Sequence, residues 1–112
     1  MIEYKWKDLE NRLNQDFRQQ QKEVELLHLV RASEKFEGLV PYISLSRLCL
    51  GTEDENGYPA LDFCCFYYYN DKYVVSNYEN TQKHFFITAK QAIKFAEEQV
   101  EVFKKEHNLE KE

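Results

Sequence analysis

The chain has 112 residues, 15% of them aromatic, and a formal net charge of -5, which suits one domain with enough large apolar side chains to build its own core. That charge, with acids and bases mixed along the sequence, argues against ordinary nucleic-acid binding, which draws its affinity from lysine and arginine set against phosphates. No apolar run reaches the roughly 18 residues of a membrane span and no basic start leads into an apolar leader, so a single cytoplasmic domain over residues 1–112 is expected.

Residues 4–35 are rich in Glu, Gln, Lys, Arg and Leu and hold no Gly or Pro, a composition that predicts helix. Trp6, Leu9, Leu13 and Phe17, then Val24, Leu27 and Val30, recur at three and four residues and form a stripe able to lie on a sheet. The polar stretch Arg18 to Glu23 fits either the exposed middle of one bent helix or a break between two, and periodicity does not choose. A single helix with a bend is the expectation, ending by Glu37 because Gly38 terminates helices and Pro41 blocks continuation.

Leu39 to Leu50 reads as the first strand. Its polarity changes sides near Arg47, where a bulge would restore one core face. Gly51 to Pro59, with Asn56-Gly57 and the acids Glu53, Asp54 and Glu55, suits a solvated loop between strands. Residues 60–69 form the central strand, with Leu61, Phe63, Cys65, Tyr67 and Tyr69 on one side and Asp62, Cys64, Phe66 and Tyr68 on the other. Because Asp62 interrupts the second set, the first is expected on the main core and the second partly open.

The brevity of Asn70-Asp71-Lys72 predicts an antiparallel hairpin onto residues 73–78, and a turn at Glu79-Asn80-Thr81 leads to a short fourth strand over residues 83–87. Thr88 and Gln91 then match a capping box, with Ile87 and Ala92 at hydrophobic-staple spacing. Ile93, Ala96, Val100 and Phe103 continue as the stripe of an amphipathic helix ending near His107. The expected fold is therefore α+β: an N-terminal helix, a three- to four-stranded antiparallel sheet and a C-terminal amphipathic helix, both helices on one sheet face.

Catalytic and metal chemistry find little support. Three cysteines without Cys-x-x-Cys spacing argue against a disulfide framework or zinc, and Cys64 and Cys65 face opposite sides of a regular strand. Glu25 and His28 make a single Glu-x-x-His pair where carboxylate-bridged di-metal sites need two. Cys64 or Cys65 with His84 is the one nucleophile and base pairing available, and nothing in the sequence brings them together. Asp62 has Arg47 as a candidate ion-pair partner. The acids at 53–55 lack the spacing of a calcium loop, and with three glycines in the chain no phosphate cradle is legible. No catalytic residue, metal or cofactor is assigned.

What remains is aromatic surface, since Tyr42, Tyr58, Tyr67, Tyr68, Tyr69, Tyr73 and Tyr78 are more rings than a single helix-covered sheet face can bury. The reading is a non-enzymatic protein–protein interaction module, an adaptor, chaperone or inhibitor of the immunity type, facing a basic or nucleic-acid-handling partner. Its contact residues are Glu53, Asp54, Glu55, Tyr58, Phe66, Tyr68 and Tyr78, and self-association through the same patch is a variant of it. The alternative is a small-ligand-binding protein or enzyme with an aromatic-lined pocket offering Asp62, Cys64 or His84. Single-stranded nucleic acid stacked on the sheet is the third reading, opposed by charge.

Overall fold

Turn chemistry cuts the β-branched and aromatic stretch between Val40 and Phe86 into five strands: β1 (Val40–Ser44), β2 (Arg47–Glu53), β3 (Pro59–Tyr69), β4 (Lys72–Ser76) and β5 (Lys83–Phe86). Each pairs antiparallel with the next, so the sheet is an open meander in chain order. This is a computed structural model and it describes residues 6–9, 20–44 and 47–108. Helix α1 (Gln20–Ala32) precedes the sheet, α2 (Ala89–Glu106) follows it, and residues 6–9 form a helical turn. The expected α+β order is present, with five strands where three or four were predicted. Among the described residues no helix is long and apolar enough to cross a membrane.

The extra strand comes from residues 39–50. Ser44 pairs with Arg47, so β1 runs back along β2, and the change of polarity near Arg47 marks a reversal of the chain where a bulge was expected. The irregularity sits one strand further on, in the β2–β3 register on both sides of Gly51. There the strands approach so closely that a Cβ on Gly51 would stand 2.5 Å from the Leu61 carbonyl oxygen.

That break decides which face the helices cover. Phe63 and Cys64 both join the core beneath them, with Leu48, Leu50, Phe66, Tyr73 and Val75. Asp62 is thereby uncoupled from the Phe66 side, and its carboxylate accepts from the Tyr42 hydroxyl on the opposite face. The expectation of Cys65, Tyr67 and Tyr69 on the main core is overturned: the helices lie over Cys64, Phe66 and Tyr68. Phe66 is 0% exposed, with Phe36 edge-on at 6.4 Å, and α1 adds Leu26, Leu27 and Val30 to this core.

Helix α1 stops at Ala32, short of Glu37, because Ser33 caps a 3-10 turn over Glu34–Phe36 by accepting from the Lys35 amide. The Ser33 hydroxyl also donates to Glu97 of α2, and Lys104 of α2 donates to the Lys35 and Glu37 carbonyls at 3.0 and 2.9 Å, tying the connection to the second helix. The stretch 10–19, with Leu13, Phe17 and the choice between one helix and two, lies outside the described residues.

At the start of α2 the capping box is complete, Thr88 and Gln91 exchanging side-chain to amide bonds of 3.2 Å each way. Ile87, at the staple position, remains largely exposed. Asn70 and Asp71 take φ of 56° and 64° between Tyr69 and Lys72, the left-handed pair that a two-residue hairpin needs to match strand twist.

Candidate interaction face

The sheet face turned away from the helices is ordered by register. Tyr42, Cys49, Cys65, Ser76 and Lys83 are successive partners across all five strands, and Tyr67, Val74 and Phe85 form the next row. Paired residues project to the same side, so these two rows and Tyr69 lie on one surface. Its centre is closed, with Cys49, Cys65, Val74 and Ser76 buried.

The β4–β5 turn folds toward that centre. Arg47, itself buried, donates to the Ser44 and Asn77 carbonyls and sets its guanidinium 5.5 Å from the centre of the Tyr78 ring. The Tyr78 hydroxyl accepts from Ser44 at 3.3 Å, and the Tyr67 hydroxyl donates to the Asn80 side chain at 3.0 Å. Arg47 thus serves the turn and is not the Asp62 partner expected from sequence. Burial and the bond to Asp62 push the Tyr42 hydroxyl well above its ordinary range, so it stays a donor.

Toward the rim the face is apolar and open, with Tyr69 64% and Phe85 56% exposed. At one corner Glu53, Asp62 and Tyr42 line a groove of ≈ 270 Å³ with Asp8 and Thr52. Lys83 lies on the β5 edge and Lys72 opposite Tyr69.

The predicted contact residues separate. Tyr58, 67% exposed, and Tyr78, 37% exposed, are available at the surface. Glu55 is exposed, while Asp54 spends its carboxylate on the turn, accepting from the Asn56 and Tyr58 amides at 2.9 and 3.0 Å around Gly57. Glu53 is half-buried. Phe66 and Tyr68 are withdrawn: Phe66 is core, and Tyr68 packs under α1 with Tyr73 at 4.9 Å and the Lys22 ammonium 5.3 Å from its ring centre. Sequence reasoning missed Tyr69, Phe85 and Arg47. Alternation from Tyr67 would have placed Tyr69 on this face once the core side of β3 was known.

The residues proposed for catalysis are not assembled. His84 pairs with Val75 on the helix side and stacks on Phe95 at 4.5 Å, while Cys65 points to the other face. Cys64 is sealed in the core, where burial pushes its thiol far up. His107 packs on Phe103 at 4.8 Å. Among the described residues no group of three or more His, Cys, Asp or Glu side chains could hold a metal. Comparison with protein-family models, with curated proteins and with solved structures finds no match for this chain.

Proposed function

We propose that the protein is a non-enzymatic interaction module, of the adaptor, chaperone or inhibitor kind, that docks the sheet face turned away from α1 and α2 onto a protein with a basic surface. The observation that carries this reading is a sheet that, among the described residues, is covered by helices on one side only, and whose other side keeps Tyr69, Phe85 and Tyr78 at the surface beside the Glu53 and Asp62 corner. Tyrosine and phenylalanine supply large contact area with few rotatable bonds, and they are the residues that carry interface energy when a partner dries them. The acids at the corner would meet the partner's lysines and arginines, setting orientation and association rate more than affinity.

The contact set is accordingly Glu53, Glu55, Tyr58, Tyr69, Tyr78 and Phe85. The test compares capture of partners from lysate by the intact protein, by Tyr69→Ser/Phe85→Ser, and by Val102→Ser, which alters an exposed apolar residue on α2. A partner retained by Val102→Ser, lost with the double variant, and released more readily as salt is raised supports the reading. Equal retention by all three folded proteins, or no stoichiometric partner with any, overturns it.

A further inference from the structure

Cys49 and Cys65 are direct partners in the antiparallel β2–β3 ladder, in the middle of the face turned away from α1 and α2. Opposed residues in such a ladder have Cα atoms about 4.5–5.5 Å apart, inside the roughly 4.4–6.8 Å that a disulfide spans without moving the backbone. Both thiols are free and fully buried. From these positions the geometry points to Cys49 and Cys65 as a dithiol site that closes to an intramolecular disulfide on exchange with a small-molecule disulfide, stapling the second and third strands.

The surroundings give the two thiols different roles. The Cys65 thiol is pulled down, first by the hydrogen bond from Cys49 and then by the Arg47 guanidinium, against the cost of burial and the Asp62 and Glu79 charges. Cys49 is pushed up by the same contact and by burial. Its thiol also lies 3.8 Å from the Arg47 carbonyl oxygen, so its one proton has a second acceptor. On the other side of Cys65, register places Ser76, whose buried hydroxyl has no hydrogen-bond partner and is a donor in reserve for a thiolate.

The balance is that of ordinary exchange. The Cys65 thiolate attacks one sulfur of the small disulfide, forming a mixed disulfide and expelling a thiolate. The Cys49 thiolate then attacks the Cys65 sulfur and expels the second. The protein loses two electrons and two protons, and the small disulfide is reduced to two thiols. Access comes through the β4–β5 turn, whose residues Glu79 to Gln82 are exposed and which is held to this face by the Arg47 to Asn77, Tyr67 to Asn80 and Ser44 to Tyr78 bonds and by the Arg47 guanidinium on the Tyr78 ring.

Cys64, the neighbour in sequence, is the built-in control, since it lies on the opposite side of the sheet in the helix-side core. The experiment incubates the folded protein and its Cys64→Ser and Cys65→Ser variants with oxidised glutathione, blocks remaining thiols with iodoacetamide in denaturant, and reads intact mass and fragment spectra. The expected result is loss of two of the three titratable thiols with loss of two hydrogens, the same loss in Cys64→Ser, and none in Cys65→Ser. Fragments should link Cys49 to Cys65. Three blocked thiols after incubation, a stable glutathione adduct on one cysteine, or a bridge through Cys64 would each overturn the assignment. The outcome is independent of the interaction reading, because no partner enters the measurement.

Discussion

Glu23 shows how much a single buried group can cost. It sits on the inner side of α1 at 7% exposure, one carboxylate oxygen has no hydrogen-bond partner, and burial raises its pKa above the ordinary carboxylate range. A buried polar atom left unpaired costs roughly 1–3 kcal/mol. A folded pKa above the unfolded one means that the native state binds more protons in the window between the two. Stability therefore falls as pH rises through that window and stays at the lower level above it. Glu23→Leu should raise the thermal midpoint at pH 7 and Glu23→Gln should raise it less, because an amide is still polar. The advantage of both should shrink as pH is lowered through that window and be smallest below about 4.3, the ordinary glutamate value. A midpoint difference that stays constant from pH 7 to pH 3.5 would sink this explanation. In sequence a lone glutamate between Lys22 and Val24 reads as solvated helix surface, and the periodicity that found Leu27 and Val30 gave no hint of it. Thr88 and Gln91 were legible because a capping box is defined by two residue types three positions apart, whereas the burial of Glu23 depends on what lies across the core.

At the scale of elements, Gly51 and Gly57 are each required for a different reason. Gly57 has φ of 85° with open space where a Cβ would point, so its demand is backbone handedness. Gly51 has no positive φ, and its demand is space, with the Leu61 carbonyl oxygen 2.5 Å from the Cβ position. Asparagine tolerates the left-handed region, so Gly57→Asn should stay within about 0.5 kcal/mol of the parent by urea unfolding. Gly51→Ala should cost about 1–3 kcal/mol, the ordinary range for overpacking, and Gly51→Asn more. Equal costs for asparagine at the two positions would mean that the close β2–β3 approach is not what selects Gly51. Of these features the Asn56-Gly57 turn and the short 70–71 hairpin were readable locally. The split of residues 39–50 into β1 and β2 was not, because an alternation that switches phase at Arg47 looks the same whether the strand bulges or reverses. The break opposite Gly51 was equally silent, since it is a property of two strands and leaves no mark in either alone.

The choice of covered face belongs to the whole molecule, and it divides the aromatic residues of one strand into two populations with opposite tasks. Phe66 and Tyr69 lie three residues apart on β3, yet one is sealed under α1 and α2 and the other stands in solvent. Both sides of β3 are apolar enough that composition cannot rank them. The sequence-based choice leaned on Asp62, which the irregular register moves to the other face. Truncating a buried phenylalanine costs about 3–5 kcal/mol, a large share of the roughly 5–15 kcal/mol that holds a domain of this size together. Phe66→Ser should therefore lower the urea midpoint sharply or leave the chain unfolded by circular dichroism. The pair Tyr69→Ser/Phe85→Ser should keep the parent midpoint within the about 0.5 kcal/mol usual for surface changes. Any loss of partner capture by Phe66→Ser then reports unfolding, while the same loss by the stable pair reports the face itself. The reverse ranking, with the pair the more damaging to stability, would show that the face turned away from α1 and α2 is packed against part of this chain, and the proposed docking surface would have to be abandoned.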